Sequence, residues 1–528
     1  MVMSPFRLRE DYWETFELHE EDIEFLYNNL LETEEPQTTS ELVENLVSER
    51  IRIEKQLIET QRSSGGQLYM PKERYEINHA LVFPALNWRK GKVTGKRPGH
   101  NPDIGDFEVI EVAFEDGVIH EYASALKNHV LNNPPAFQID DNQLDLAYVL
   151  EYYQEDLIES VERELESNPD FVRIAGRWFP RALLVDINIG HLNLAEAVLD
   201  MAGGGPLPTS ALLEQLEFDG SINPKLLEFS MDLALQEDER FDEVGSAGKV
   251  LWFLHRLEPP EVLEPPLFLR YAGMEYDRSV LTGEMQALER ELDDELSPLE
   301  GRYRNLDNIE VRLIYPHWRA GTLPLSARLR HLFPTAYEAP RIRFTMVDGE
   351  THSRFPAWVV RAKRYVYGLR EWYQEHGIQP GSIIHVRAGD VPGEVTISSD
   401  SRRQSREWIR TVLVGSDGGM VFAMLKQTIS SSIDDRMVIS VPDIEAVDQV
   451  WERMQKERPS FERVVANTVK ELAKLNPQGH VHASELYAAI NVVRRTPPGP
   501  LLALLASRSM FAHLGDMHYR LIESERST

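Results

Sequence analysis

Three stretches of this chain share one pattern of apolar and polar positions. At residues 38–46, 208–216 and 482–490, a serine comes two residues before an apolar pair, and a third apolar residue completes the pattern. The apolar triples are Leu42, Val43 and Leu46; Leu212, Leu213 and Leu216; and Leu486, Tyr487 and Ile490. Positions i, i+1 and i+4 share one helix face, and serine favours a helix start, so each stretch predicts an amphipathic helix.

A second helix and an apolar-aromatic hairpin are predicted after the later two copies. Helical stretches beginning at prolines lead into two similar sets: Phe241, Val244, Gly245 and Trp252, and then Phe511, Leu514, Gly515 and Tyr519. A further helical stretch precedes each copy. Three helices followed by a hairpin is the layout of a winged helix, with the glycine allowing the turn. The first copy lacks the Phe and Gly, since its end reads QLYMPKERYEI.

Two other stretches have the period of β-strands. Residues 80–126 alternate apolar and polar positions in short runs broken by Gly, Pro and Asp-Gly, which predicts a small barrel of hairpins. Residues 311–397 predict strands, a helix around LREWYQEHG and a further strand at QPGSIIHV. Residues 142–167 and 276–295 predict helices with strongly acidic faces, and LEPPEVLEPP predicts a stiff link.

These patterns resemble known families. Residues 191–257 resemble the HARE winged-helix family, which occurs in the delta subunit of bacterial RNA polymerase, in chromatin adaptors and fused to restriction enzymes. Residues 460–523 and 17–80 are similar but looser. Residues 80–126 resemble SH3-like barrels of transcription and translation factors, and 311–397 resemble the plant auxin-response-factor type of DNA-binding pseudobarrel (B3-like). The resemblance implies a nucleic-acid or transcription-related setting and implies no catalysis.

The predicted fold class is α+β, multidomain, with repeated winged helices and two small β-barrel-like modules. The predicted modules are a winged-helix-like 1–79, an SH3-like 80–130, an acidic helical connector 131–190, a HARE-like 191–262, an acidic linker 263–310, a pseudobarrel with a basic helix 311–445, and a C-terminal winged helix 446–528.

Composition and charge narrow the function classes. The chain has 528 residues and no cysteine, which removes disulfides and thiolate chemistry. It has no apolar run of membrane-spanning length and no apolar signal segment, so a cytoplasmic location is expected.

The formal net charge is −30, and this charge is unevenly distributed along the chain. Residues 131–310 hold 38 Asp and Glu against 13 Lys and Arg, whereas 311–410 hold 9 against 16. An acidic half is therefore joined to a basic segment.

No local catalytic motif is found. The sequence has no phosphate-binding loop, no HExxH, no GxSxG and no kinase or EF-hand set. Four histidines, His480, His482, His513 and His518, lack an acidic or cysteine partner at metal-binding spacing. A non-enzymatic protein without cofactor or metal is therefore predicted, although a site assembled from distant residues would leave no local motif.

Clusters of basic residues are the candidate nucleic-acid contacts. They are Arg89, Lys90, Lys92, Lys96 and Arg97; Arg361, Lys363 and Arg364; Arg402, Arg403, Arg406 and Arg410; and Arg494, Arg495 and Arg508. The first group also fits a solvated edge strand guarded by lysine. The third group has helical spacing, so a positive helix face is expected there.

The central copy is acidic where a DNA-reading helix needs positive charge. We interpret Glu228, Asp232 and Asp238 as contacts for a protein partner such as RNA polymerase. The resulting hypothesis is a nucleic-acid-associated, transcription-related adaptor that binds DNA, with RNA as the less favoured ligand. Alternatives are a protein-interaction scaffold and an accessory protein of a restriction or defence system.

Overall fold

The computed structural model describes residues 12–63, 66–83, 86, 89–102, 105–114, 117–132, 141–218, 220, 222–299, 307–416 and 418–522. These residues form an α+β multidomain fold, which confirms the predicted fold class. The chain divides into two compact units. One contains residues 1–185 and 221–229, and the other contains residues 186–220 and 230–528.

The first unit contains a three-stranded and a five-stranded sheet among its described residues. Its elements are α1 (Glu20–Thr33), β1 (Gln37–Thr38), α2 (Thr39–Ser63), β2 (Gln67–Leu68), β3 (Ala80–Phe83), β4 (Arg89–Asn101), β5 (Gly105–Phe114), β6 (Ile119–Ser124), α3 (Leu146–Ser167), β7 (Phe171–Ile174) and β8 (Arg177–Pro180). The five-stranded sheet follows chain order from β2 to β6, and the smaller sheet has the order β1-β8-β7. Residues 80–126 therefore form strands, as their alternating pattern predicts.

The five-stranded sheet is inserted into the first helical repeat. Helix α2 packs against α3, which begins after the sheet ends, and β8 pairs with β1 on one side and β7 on the other. The third helix and the hairpin of the first copy therefore lie at 146–180. The predicted boundary at residue 79 and the predicted connector at 131–190 differ from this arrangement, because α3 is a core element of the module that begins with α1.

The second unit begins with the central copy and ends with the C-terminal copy. Its elements are α4 (Ile189–Met201), α5 (Thr209–Leu213), α6 (Pro224–Gln236), β9 (Phe241–Glu243), β10 (Trp252–Leu254), α7 (Pro260–Leu263), α8 (Gly283–Leu292), β11 (Asn308–Arg312), α9 (Tyr315–Ala320), β12 (Thr322–Pro324), β13 (Ile342–Asp348), β14 (Arg354–Val360), β15 (Tyr365–Tyr367), α10 (Arg370–Glu375), β16 (Ile383–Ala388), β17 (Glu394–Ser398), β18 (Ser401–Val414), β19 (Met420–Ser431), α11 (Ile444–Glu457), α12 (Phe461–Ala473), β20 (Val481–His482), α13 (Ala483–Val493), α14 (Pro498–Ser507), β21 (Phe511–His513) and β22 (His518–Leu521). The first part of α6 belongs to the first unit.

A seven-stranded mixed sheet is formed by β11 to β17. Its order is β11-β16-β17-β13-β14-β15-β12, in which β13 and β17 are parallel and the other neighbours are antiparallel. Met346, Val359 and Val386 pack with Trp372 of α10 in its core. The strands, the Trp-containing helix and the following strand that the sequence predicts over 311–397 are therefore present.

The predicted basic helix at 402–410 is wrong, because these residues lie on strand β18. Strand β18 pairs with β19 along a long antiparallel hairpin. A spacing of four residues fits one face of a helix and also one face of a strand, so Arg406 and Arg410 share a face in either structure. The run IRTVLV that follows is rich in β-branched residues, and this property favours the strand.

The central and C-terminal copies have three helices and a hairpin, as expected. In the C-terminal copy β20, β22 and β21 are neighbours in that order, which matches β1, β8 and β7 in the first copy. In the central copy Leu207 bridges Trp252 of β10, which pairs with β9. Phe171, Phe241 and Phe511 occupy the same position of the hairpin in the three copies, and all three are buried.

The two predicted turn glycines serve different purposes. Gly515 has a φ of +95°, which L residues rarely adopt, so it supports the turn directly. Gly245 is required by close approach instead, since a Cβ there would lie 1.8 Å from the carbonyl oxygen of Lys249. The same glycine position is therefore required for two different reasons, a positive φ in one copy and a close backbone approach in the other.

A trio of a buried Thr, a part-exposed carboxylate and a buried Trp holds the first copy together. Thr39 Oγ1, at the start of α2, donates to Glu162 Oε1 of α3 over 2.9 Å. The same hydroxyl accepts from Trp178 Nε1 of β8 over 3.0 Å. One threonine thus connects the second helix, the third helix and the hairpin, and it satisfies an indole N–H inside the core.

The central copy repeats this trio. Trp252 Nε1 of β10 donates to Thr209 Oγ1 over 3.1 Å and to Asp232 Oδ1 of α6 over 2.9 Å, and Thr209 donates to Asp232. The C-terminal copy lacks it, since the strand register places Ala483 and Tyr519 at the threonine and tryptophan positions. The trio marks the first two copies as variants of one module.

A buried ion cluster joins the segment after α8 to α13 and α9. Arg495 lies 2.7 Å from Asp294 Oδ1 and 2.6 Å from Glu295 Oε1, and its side chain is 0% exposed. Tyr487 donates to the other oxygen of Asp294 over 2.5 Å, and His317 Nε2 lies 3.2 Å from Glu295. Burial alone would lower the pKa of Arg495, but the two carboxylates raise that pKa well above its ordinary value. The guanidinium is therefore held in its charged form.

Candidate nucleic-acid interface

The hairpin of β18 and β19 presents a cationic surface. Residues 401–431 contain five Lys and Arg against two Asp and Glu. Arg402, Arg403 and Arg406 are exposed, and none of them forms an ion pair with a residue in the described ranges. Their positive charge therefore faces solvent without a carboxylate to neutralise it, which suits phosphate oxygens.

An exposed tryptophan lies within this cationic surface. Trp408 is 61% exposed and is paired across the hairpin with Lys426, whose Nζ lies 5.5 Å from the centroid of the indole ring. Arg406 precedes Trp408 by two residues and so lies on the same face of β18. Sequence reasoning missed Trp408 and Lys426. The signal that could have found them is the strand period of SREWIRTVLV, which places Arg406 and Trp408 together.

Arg410 anchors the hairpin instead of extending its charged surface. Its guanidinium lies 2.7 Å from Glu485 of α13 and donates to the carbonyl oxygens of Asp435 and Arg436, each over 2.5 Å. The residue is buried. Because its hydrogen-bonding capacity is used within the protein, we leave Arg410 out of the proposed interface.

Part of the positive charge of β4 is neutralised by ion pairs. Lys96 lies 3.1 Å from Glu108, and Arg97 forms an ion pair of 2.6 Å with Glu121. Arg89 lies over the ring of Phe114. Lys90 and Lys92 are exposed on the strand. The carboxylates reduce the net positive charge that this strand offers to a phosphate backbone.

The loop between β14 and β15 uses two of its three cations internally. Arg361 donates to the carbonyl oxygens of Phe333 and Pro334, and Arg364 donates to the carbonyl oxygen of Glu295. Lys363 is exposed. The aromatic residues Trp358 and Tyr365 beside this loop are buried and belong to the core.

The C-terminal cations do not form one surface. Arg495 belongs to the buried ion cluster and is inaccessible to a ligand in this conformation. Arg494 lies over the ring of Phe461, and the exposed Arg508 forms an ion pair of 2.8 Å with Glu462. We therefore leave Arg495 out of the proposed interface.

The acidic residues predicted to contact a protein partner also differ in accessibility. Asp232 is buried in the trio with Thr209 and Trp252, so its role is structural. Asp238 pairs with Arg240 over 2.7 Å, which lowers the pKa of the carboxyl. Glu228 is partly exposed. Part of the negative charge in and after α6 is therefore buried or paired within the protein and is not offered to a partner.

One cluster has the composition of a metal site. Ligand atoms of Asp242, His255 and Glu258 lie within 4.8 Å of one another. The guanidinium of Arg341 lies 2.5 Å from Asp242 and 2.8 Å from Glu258, so a cation of the protein already balances these carboxylates. A metal ion would have to displace Arg341, and we interpret the cluster as a structural ion-pair network.

Glu243→Gln is expected to flatten a decline in stability between about pH 4.5 and about pH 8. Burial, with smaller contributions from Glu338 and Asp232, raises the pKa of Glu243 from 4.5 to about 8. The folded state therefore keeps a proton that the unfolded state has lost, so stability is full below pH 4.5 and falls as the pH rises to about 8.

Thermal unfolding at about pH 5 and about pH 9 measures this effect, and we expect Glu243→Gln to recover about 2–4 kcal/mol at the higher pH. Glu239→Gln, at an exposed position nearby, is the control and should leave the pH profile unchanged. Equal declines in the wild type and Glu243→Gln would contradict the expectation.

Comparison of the chain with protein-family models, with curated proteins and with solved structures gives no match. Within the described parts of the chain, no helix has the length and apolarity that crossing a lipid bilayer requires.

Proposed function

We propose that this protein is a nucleic-acid-binding adaptor without catalytic activity, and that the hairpin of β18 and β19 holds the nucleic acid. The observation that carries the proposal is the exposed set of Arg402, Arg403 and Arg406, which have no ion-pair partner among the described residues. Arginine is well suited to phosphate oxygens. A two-stranded ribbon also has the dimensions of the major groove of duplex DNA.

The repeated modules support a transcription-related setting for this activity. Their order of helix, strand, helix, helix and two further strands agrees with the resemblance to winged helices. In the central module Leu194 and Met201, seven residues apart on one face of α4, are exposed apolar residues that favour a protein partner. The adaptor would then hold nucleic acid at the hairpin and a protein at α4.

Fluorescence anisotropy of the full chain with labelled duplex and single-stranded oligonucleotides tests the proposal. We expect binding near 50 mM salt with a logarithmic salt slope of about −3 for duplex DNA, because each phosphate contact contributes about −0.9. Failure to bind either oligonucleotide at low salt would refute the proposal.

A scaffold that binds proteins alone is the second candidate function, and the exposed α4 residues are the observation that favours it. The same anisotropy series separates the two. Nucleic-acid binding with a steep salt slope supports the adaptor, whereas no binding together with loss of a captured protein partner in Leu194→Asp supports the scaffold.

A further inference from the structure

Trp408 is exceptional among the tryptophans that the structure describes. Trp178, Trp252 and Trp451 are at most 2% exposed, whereas Trp408 is 61% exposed. An indole side chain carries a large apolar surface, and leaving that surface in water forgoes the stabilisation that burial would give. The exposed face of this ring is therefore available to a ligand.

The backbone that carries Trp408 is fixed on both sides. Ile409, the next residue, is buried with Ile429, Ile433 and Val438 on the opposite face of the hairpin. Arg410 is then bound to Glu485. The indole ring is therefore displayed on a rigid support, and a ligand would lose little conformational entropy of the protein on binding it.

Positive charge surrounds the ring on its own face. Lys426 lies directly across the hairpin, with its Nζ 5.5 Å from the ring centroid, and the guanidinium of Arg406 extends from the same face. A flat aromatic surface flanked by cations matches a nucleotide, which offers a flat base next to a negative phosphate.

The occupant is better matched to nucleic acid than to protein. The exposed aliphatic residues Leu413, Val421 and Leu425 lie at odd positions of the strands, on the face opposite to Trp408, whereas Met424, paired with Arg410, shares the face of Trp408. On that face Lys426 lies directly across from Trp408 and Arg406 lies two residues before it, so cations flank the ring. In a duplex the base faces are covered by neighbouring bases, so an aromatic platform requires an unpaired base.

We propose that Trp408 is a stacking platform for an unpaired nucleobase, and that Arg406 and Lys426 hold the adjoining phosphates of a single strand. This inference rests on the proposed nucleic-acid binding and adds to it a specific preference for an unpaired strand, while the arginines bind the phosphates of duplex and single strand alike.

Affinities of the full-length protein for a single-stranded oligonucleotide and a duplex of equal length test the platform. Trp408→Ala is expected to weaken single-strand binding by roughly 5- to 100-fold, as expected for loss of one stacked base. Duplex binding is expected to change by less than about twofold, and the salt slope is expected to persist because indole carries no charge. Trp408→Phe retains an aromatic face and should keep most of the affinity.

Tyr152→Ala is the matched control, since Tyr152 on α3 is also 61% exposed, and it should leave both affinities unchanged. Melting temperatures and light scattering establish that the variants stay folded and keep the oligomeric state of the wild type. The platform is overturned if Trp408→Ala binds single strands as the wild type does, weakens both ligands equally, or changes the oligomeric state. If duplex binding with a steep salt slope persists in those cases, the proposed function survives; if no oligonucleotide binds the wild type, both proposals fail.

Discussion

Arg495→Met is expected to lower the free energy of unfolding by about 3–5 kcal/mol, because it leaves two buried carboxylates without their cation. Asp294 and Glu295 are 0% and 4% exposed at their side chains, and Arg495 binds both. Burial acts to raise the pKa of Glu295, yet Arg495 and His317 hold that pKa well below its usual range. Without the guanidinium, the cost of desolvating the two carboxylates is no longer offset by their ion pairs with Arg495.

Chemical denaturation followed by circular dichroism measures the loss. Arg508→Met is the control, because it makes the same substitution in the same module at an exposed ion pair, where a loss of at most about 1 kcal/mol is expected. Combining Arg495→Met with Asp294→Asn and Glu295→Gln should restore part of the lost stability, since the unpaired charges are then removed. Equal effects of Arg495→Met and Arg508→Met would contradict the buried-cluster interpretation.

The triple variant Arg402→Gln, Arg403→Gln and Arg406→Gln is expected to weaken duplex binding by about 10²- to 10³-fold near 0.1 M salt. Each phosphate contact adds about 0.9 to the magnitude of the salt slope, so three lost contacts should reduce that slope by about 2.7. Anisotropy titrations over a series of salt concentrations measure the affinity and the slope together. The three side chains are exposed, so the fold should be retained.

A second triple variant separates this local effect from that of net charge. Arg52, Arg256 and Arg354 are exposed arginines outside the hairpin, and each pairs with a carboxylate. Changing these three to Gln alters the net charge by the same amount, but it should leave the salt slope close to that of the wild type. If both triple variants lose affinity equally, the hairpin is not the binding surface.

The helical cores of the modules could be predicted because their information is local. Leu42, Leu212 and Leu486 occupy matching positions in the three apolar patterns, and all are 0% exposed in the structure. Helical periodicity within nine residues was sufficient to find them. Phe241 and Trp252 could likewise be assigned to the core of a hairpin, because aromatic residues on either side of a glycine turn are typical of paired strands that pack on helices.

Contacts between distant residues could not be predicted in the same way. Arg495 follows Arg494 in a basic stretch, and its partners Asp294 and Glu295 lie about two hundred residues earlier. Asp232 belongs to an acidic run, yet its environment is determined by Thr209 and Trp252. In both cases local charge suggested an exposed contact, whereas the fold supplies a partner and buries the group.

The candidate interface was found in part. Arg402, Arg403 and Arg406 were recognised as a cationic group, although on the wrong element, because a spacing of four residues does not distinguish a helix from a strand. Trp408 was missed because the helical interpretation of 402–410 separates it from Arg406, whereas on strand β18 the two residues share a face.

The five-stranded sheet inserted between α2 and α3 determines when the first module can form during synthesis. The second and third helices of the module, α2 and α3, lie on either side of this sheet in the sequence. A long loop must therefore close before Thr39, Glu162 and Trp178 can meet. A nascent chain ending near residue 79 lacks this partner helix and the pairing strands. The inserted sheet, whose own contacts are mostly between neighbours in sequence, is therefore able to fold first and bring the ends of the module together.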